Sequence, residues 1–137
     1  MGAKQMMTKK SILIVDDDPN ICKVLATNLK AKGYTVKSAG TGKKAIKMSK
    51  EEQFNLALID IRLPDMQGTE LLTQLRGTIP KMMKIIITGY PSIANAVEAL
   101  NKGADAYIIK PLDMEKVMKE IDEKLKMQEV LGATLYI

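Results

Sequence analysis

The chain of 137 residues contains no histidine and no tryptophan, a single cysteine, one phenylalanine and four tyrosines. Without histidine there is no Ser-His-Asp or Cys-His catalysis, no histidine-bearing zinc site and no residue able to carry phosphohistidine. The lone Cys22 cannot close an internal disulfide, so the fold needs no oxidising compartment. It falls in a stretch of helical spacing, where a small buried hydrophobe is the ordinary role. No apolar run approaches the ~18–20 residues that span a bilayer. Residues 1–10 carry lysines but no apolar core or small-residue cleavage site, so they do not read as a signal peptide. The expectation is a cytoplasmic protein with no membrane partner.

Net charge is +5, from 21 basic and 16 acidic residues. Lys4, Lys9 and Lys10 supply three of those charges with no acid beside them, which leaves +2 for residues 11–137. Residues 1–10 therefore read as a flexible basic tail. Lys37, Lys43, Lys44, Lys47 and Lys50 form a second basic cluster. With so few aromatics there is little material for a single-strand stacking surface, and direct nucleic-acid binding by this domain is not expected.

Five short apolar, β-branched-rich runs stand out: Ile12–Val15, Tyr34–Ser38, Leu56–Ile59, Ile85–Ile87 and Tyr107–Ile109. Helical patterns separate them. Ile21, Val24, Leu25 and Leu29 precede Gly33. Leu71, Leu72 and Leu75 follow the third run, and Ile93, Ala96, Val97 and Leu100 precede Gly103. Met114, Val117, Met118, Ile121 and Leu125 mark the last helix, while Thr41 to Lys50 has only Ala45, Ile46 and Met48 on its apolar side. Strand and helix alternating five times predict one α/β domain over residues 11–127, a parallel sheet covered on both faces. Ile12-Leu13-Ile14-Val15 and Leu56-Ala57-Leu58-Ile59 lack polar alternation, as strands buried on both faces do.

Ligands of open α/β sheets bind beyond the carboxyl ends of the strands. Asp16, Asp17 and Asp18 follow the first run, Asp60 the third, Thr88 the fourth and Lys110 the fifth. Asp18-Pro19 reads as an N-cap and first helical residue, which leaves Asp16, Asp17 and Asp60 as the acidic set. Two unit charges ~4 Å apart repel by roughly 4 kcal/mol at an effective dielectric of 20, so three close carboxylates cost on the order of 12 kcal/mol uncompensated. Oxygen donors without histidine or cysteine select Mg²⁺, Mn²⁺ or Ca²⁺, and with few protein ligands Mg²⁺ keeping several waters fits best, Mn²⁺ being a possible substitute.

Four pieces occur in order: Ile12 to Pro19 (ILIVDDDP), Leu58 to Gly68 (LIDIRLPDMQG), Ile87 to Tyr90 (ITGY) and Tyr107 to Pro111 (YIIKP). Together they resemble the receiver domain of two-component response regulators, the chemotaxis-type fold, over roughly residues 11–127. The resemblance implies a doubly wound flavodoxin-like sheet of order 2-1-3-4-5. It implies that Asp60 is the phosphoacceptor, taking a phosphoryl group from a phosphohistidine on a histidine kinase or phosphotransfer protein. Mg²⁺ would be held by Asp16, Asp17, Asp60 and the backbone carbonyl of Arg62. Lys110, the Thr88 hydroxyl and the Gly89 N–H would meet the phosphoryl oxygens. Thr88 and Tyr107 would form the switch, altering a face made of the fourth helix, fifth strand and fifth helix, through which a homodimer could form. Lys110-Pro111 is expected to be cis, and the side chains of Arg62 and Tyr90 to influence the acyl-phosphate lifetime. Such a protein is a phosphoacceptor regulator, not an enzyme beyond assisting its own phosphorylation and dephosphorylation.

Rival readings fare less well. An aspartyl-phosphate phosphatase would carry its nucleophile after the first strand and need room for a cap domain. Gly40-Thr41-Gly42-Lys43-Lys44 does not match a nucleotide-binding P-loop. A phosphorylation-independent interaction module has no need of the full set of acids, Thr88 and Lys110. Val130, Leu131, Leu135, Tyr136 and Ile137 are apolar beyond the expected end of the core, so residues 128–137 read as an extension that packs on a second chain or begins a linker.

Overall fold

All five β-branched-rich runs form strands in the computed structural model, which describes residues 9–75 and 81–135, the side chains of 133–135 excepted. They are β1 (Ser11–Val15), β2 (Thr35–Ala39), β3 (Leu56–Asp60), β4 (Met83–Thr88) and β5 (Ala106–Ile109). Between and after them lie α1 (Pro19–Ala31), α2 (Gly42–Glu51), α3 (Gly68–Gln74), α4 (Ile93–Asn101) and α5 (Met114–Leu135). The strands form one parallel sheet in the order β2-β1-β3-β4-β5. The tail residues 1–8, with Lys4, and the apolar side chains of Leu135, Tyr136 and Ile137 fall outside the described residues.

Helix ends follow local chemistry. Asp18 caps α1 by accepting from the Asn20 N–H, with Pro19 at the first helical position. Thr41 caps α2 and Ser92 caps α4 in the same manner. Gly33 and Gly103 stop α1 and α4 with φ of 97° and 107°, a conformation that favours glycine. Tyr34 drops out of the expected second strand because its N–H closes the end of α1 on the Leu29 carbonyl, while its hydroxyl donates to Asp122 of α5 at 2.6 Å. The fourth strand is longer than its apolar run, since it takes in Lys84, a lysine buried with its ammonium on the Met82 carbonyl.

One core layer sits under α2, α3 and α4, built from Leu13, Val15, Ala57, Ile59 and Ile86 against Ala45, Leu71, Leu72 and Ala99. The other sits under α1 and α5, where Ile12, Ile14, Leu58, Ile85 and Ile87 meet Leu25, Leu29, Val117, Ile121 and Leu125. The sheet is thus buried on both faces, which explains the missing alternation. Helix α4 departs from the simple apolar-in reading. It turns its small face inward, with Ala99 fully buried, and leaves Ile93 86% exposed with Val97 and Leu100 also outside. A helix that buries alanine can approach the sheet closely, and its larger side chains then point away.

The apolar stripe of α5 ends at Leu125, and one turn later the same side presents Gln128, only 5% exposed. Its Nε2 donates to the carbonyls of Asn55 at 2.8 Å and Lys81 at 2.7 Å, and its Oε1 accepts from Asn55 Nδ2. Here the helix has passed the last side chains of the sheet and faces backbone carbonyls at the amino ends of β3 and β4. An amide satisfies them where a leucine would not.

Candidate functional site

Parallel register brings the chemistry to one edge of the sheet. Val15 lies beside Ile59, Asp60 beside Ile87, and Thr88 beside Ile109, so the residues leaving β1, β3, β4 and β5 gather at adjacent carboxyl ends. Asp60 is the last residue of β3 itself. One carboxylate oxygen each from Asp16, Asp17 and Asp60 lies within 4.8 Å of the others. Asp16 is 5% exposed, the Asp60 side chain 12%, and Asp17 is open to solvent.

Among the described residues Lys110 is the one cation that pairs with this group. Lys110 Nζ lies 3.4 Å from Asp16 Oδ2 and 3.6 Å from Asp60 Oδ2, ion-pair distances longer than a tight charged hydrogen bond. Asp16 Oδ1 accepts the Asp18 N–H at 2.9 Å, and Asp60 Oδ1 accepts the Arg62 N–H at 3.4 Å. One ammonium against three carboxylates leaves the cluster short of positive charge. Burial, and then Asp16, push the Asp60 carboxyl above its ordinary range, with Lys110 and the Arg62 N–H opposing them. A compact set of oxygen donors with unbalanced negative charge fits a hard divalent cation, because that ion supplies the missing charge. Burial, followed by Asp16, Asp18 and Asp17, also raises the Cys22 thiol, whose Sγ sits 3.4 Å from the Asp16 carbonyl oxygen. That thiol stays protonated and inert near neutral pH.

Thr88 is fully buried, and its Oγ1 accepts the Tyr90 N–H at 2.9 Å. The Lys110 N–H donates to the Thr88 carbonyl at 2.8 Å, which ties the carboxyl ends of β4 and β5 together. At Gly89 an added Cβ would meet only Lys110 Cδ, at 3.7 Å, so the position is roomy. The Lys110-Pro111 bond is cis.

Two supporting residues have no local signal. Asp65, in the loop after β3, accepts the Gly42 and Lys43 N–H groups at 2.8 and 2.9 Å and so holds the start of α2. Those two bonds lower its carboxyl below the usual range. Gly68 donates its N–H to the Ile61 carbonyl at 2.7 Å and packs directly on the backbone that carries Asp60. Asp65 and Gly68 both lie in the piece Leu58–Gly68, but neither the reach of Asp65 to α2 nor the close approach of Gly68 to the Asp60 backbone follows from helix or strand period. The lysines of the second basic cluster on α2 are exposed, and Lys37 pairs with Glu52.

Tyr107 lies opposite Ile86 in the register, on the same sheet face as Thr88, and packs on the core beneath α4. Its hydroxyl is buried with no hydrogen-bond partner among the described residues. An unsatisfied buried hydroxyl costs about 1–3 kcal/mol. Tyr107→Phe is therefore expected to raise the melting temperature, by roughly 3–5 °C for about 1 kcal/mol in a domain of this size. Thermal unfolding in the absence of any phosphodonor checks this, and a lower melting temperature would mean that the hydroxyl is satisfied.

Known proteins place this geometry. Residues 12–122 match the response regulator receiver domain family. A receiver domain protein (CheY-like) from Methanospirillum hungatei is 46% identical, with a TM-score of 0.87 over 91% of this chain and 100% of that one. The beryllofluoride-activated NtrC4 receiver domain dimer is 30% identical, with a TM-score of 0.82 over 86% of this chain and 98% of that one. The transcriptional regulatory protein ZraR of Klebsiella oxytoca is 41% identical over 114 residues, 83% of this chain but 26% of ZraR. The chain thus spans about a quarter of the length of such curated relatives. The family match runs from β1 into α5 and takes in each of the four strand ends that meet at the acidic edge, and on that ground the chain belongs to the response regulator receiver domains, the phosphorylation-dependent switches of two-component signalling.

Proposed function

We infer that Asp60 is the phosphoacceptor of this receiver. The observation carrying it is the position of Lys110, whose ammonium spans Asp16 and Asp60 at 3.4 and 3.6 Å at the centre of the acidic edge. A carboxylate oxygen of Asp60 attacks the phosphorus of a phosphohistidine on a histidine kinase or phosphotransfer protein. The new O–P bond forms as the P–N bond breaks, and the leaving imidazole takes its proton from solvent. Lys110 pairs with one phosphoryl oxygen, while the Thr88 hydroxyl and the Gly89 N–H donate to others. Asp16, Asp17, Asp60 and the Arg62 carbonyl would hold Mg²⁺, or Mn²⁺ in its place. When bound, the ion would supply positive charge that offsets the negative charge gathered at the site.

The transferred group brings a charge of about −1.5 to −2 and three acceptor oxygens. Thr88 moves toward them, and Tyr107, whose hydroxyl has no partner among the described residues, follows into the space released. The exposed Ile93, Val97 and Leu100 of α4, with Ile109 of β5, form the altered face. A second copy docking there gives a homodimer, a reading favoured by the dimeric NtrC4 receiver domain. The chain is on this reading a phosphoacceptor regulator, not an enzyme, acting in the cytoplasm. Among the described residues no helix is long and apolar enough to cross a membrane. The receiver covers residues 11–127 and, through the bonds of Gln128 to the Asn55 and Lys81 carbonyls, one turn of α5 more than the sequence pattern indicates, with an extension or linker after it.

Incubation with a small phosphodonor, with and without Mg²⁺, tests all of this. One acyl phosphate per chain, formed only with Mg²⁺ and roughly doubling the mass in light scattering, is the expected result. Continuous turnover would point to a phosphatase, and no uptake to a phosphorylation-independent module. Uptake without a change of mass would remove the homodimer alone.

A further inference from the structure

Asp60 and Thr88 are each held by the backbone N–H two residues on, Arg62 N–H to Asp60 Oδ1 at 3.4 Å and Tyr90 N–H to Thr88 Oγ1 at 2.9 Å. The side chains of those two holding residues meet each other. The Arg62 guanidinium carbon lies 3.7 Å from the centroid of the Tyr90 ring, a cation–π stack joining the loop after β3 to the turn after β4. The Tyr90 carbonyl in turn accepts from Asn95 Nδ2 at 3.3 Å, in the first turn of α4. Tyr90 is 59% exposed, so no pocket fixes its ring, and the guanidinium is what gives it a direction.

We propose that the Arg62–Tyr90 stack is a latch across the two lips of the site, which makes both side chains positioning residues for the Thr88 hydroxyl. The latch keeps the turn after β4 where the Tyr90 N–H claims Thr88 Oγ1. For that hydroxyl to reach a phosphoryl group on Asp60, the tether to Tyr90 has to stretch or break. The incoming group opens the latch itself. Phosphoryl oxygens offer a guanidinium charged, bidentate hydrogen bonds that an exposed aromatic face does not. Once Arg62 leaves the ring, Tyr90 and the start of α4 that it bonds are free to shift. Phosphoryl charge is thereby converted into movement of the α4 face. This rests on Asp60 being the phosphoacceptor.

The test uses the full chain with Mg²⁺ and beryllofluoride as the phosphoryl mimic, its affinity read by calorimetry or fluorine NMR. Tyr90→Leu keeps an apolar side chain but removes the ring face. It should bind the mimic about two- to fivefold more tightly, the factor that an exposed cation–π contact represents. Amide exchange over residues 89–95 without the mimic should quicken by a similar factor. Tyr90→Phe should behave as wild type. Arg62→Ala combined with Tyr90→Leu should lose the gain, because the guanidinium is the group that the mimic captures. A merely structural role for the ring would weaken binding rather than tighten it. Unchanged or weaker binding by Tyr90→Leu, or a Phe variant indistinguishable from Leu, overturns the latch. If wild type takes up no beryllofluoride, the phosphoacceptor reading falls and the latch with it.

Discussion

Asp60→Asn should give a protein that takes up no phosphoryl group and yet melts higher than wild type near neutral pH. The amide keeps the shape of the carboxylate but is not a nucleophile, so label from a small phosphodonor falls to background. The stability gain comes from the electrostatics of the site. Burial and Asp16 raise the Asp60 carboxyl above its ordinary 3.8, which means that the folded state holds this proton more tightly than the unfolded chain does. The associated stability is fully present below about pH 4 and is lost as pH rises through the folded value. Above that window the ionised Asp60 destabilises the metal-free fold, and asparagine removes the penalty. Melting curves in a chelator from pH 3.5 to 7 should therefore start together and separate as pH rises, with the variant above. A variant that still acquires a hydroxylamine-sensitive phosphoryl group would remove Asp60 as the acceptor. Curves that converge with rising pH would reverse the electrostatic account.

Gly68→Ala should be the most destabilising small change near the site. An alanine Cβ there would overlap the Asp60 carbonyl oxygen and sit 2.9 Å from Ile61 Cα, and both obstacles are backbone. A flexible side chain could move aside; a strand end bonded on both sides cannot. Overpacking of this kind costs about 1–3 kcal/mol, and the backbone obstacle puts the expected loss near 3 kcal/mol, roughly 10 °C in melting temperature. Because the displaced segment carries Asp60, phosphoryl uptake should fall as well. Gly40→Ala is the control, since a Cβ there meets nothing within 4 Å and the position has no left-handed φ. It should be neutral or slightly stabilising, by about 0.4–1 kcal/mol. A Gly68→Ala protein that melts with the Gly40→Ala control would show that the loop before α3 yields freely.

The exposed apolar stripe of α4 faces a way that its sequence pattern alone does not convey. Ile93, Val97 and Leu100 recur at helical spacing and so mark a helix, but an apolar stripe ordinarily marks the buried side. Here Ala99 does the burying. The sheet beneath α4 already carries Ile86 and Tyr107, and their bulk leaves room only for a small helix face. Which side of a helix turns inward thus depends on the volume that the opposite layer offers. That volume is a property of the assembled core.

What the sequence by itself determined is everything that rests on local period and on strand ends. Five apolar runs, the cap at Asp18, the stops at Gly33 and Gly103, and the gathering of Asp16, Asp17, Asp60, Thr88 and Lys110 at one edge all follow from local period and from what stands next to each strand end. A parallel sheet whose ligand edge is its carboxyl edge does the rest. Only the tertiary structure decided the contacts that join distant segments. These are Asp65 on the start of α2, Gly68 against the Asp60 backbone, Gln128 on the carbonyls of Asn55 and Lys81, and Arg62 stacked on Tyr90. Each pairs a side chain or a bare Cα with a group 8 to 73 residues away, where no periodicity reaches. Such partners are chosen by shape and unsatisfied hydrogen bonds, and those exist only after the sheet has closed against its helices.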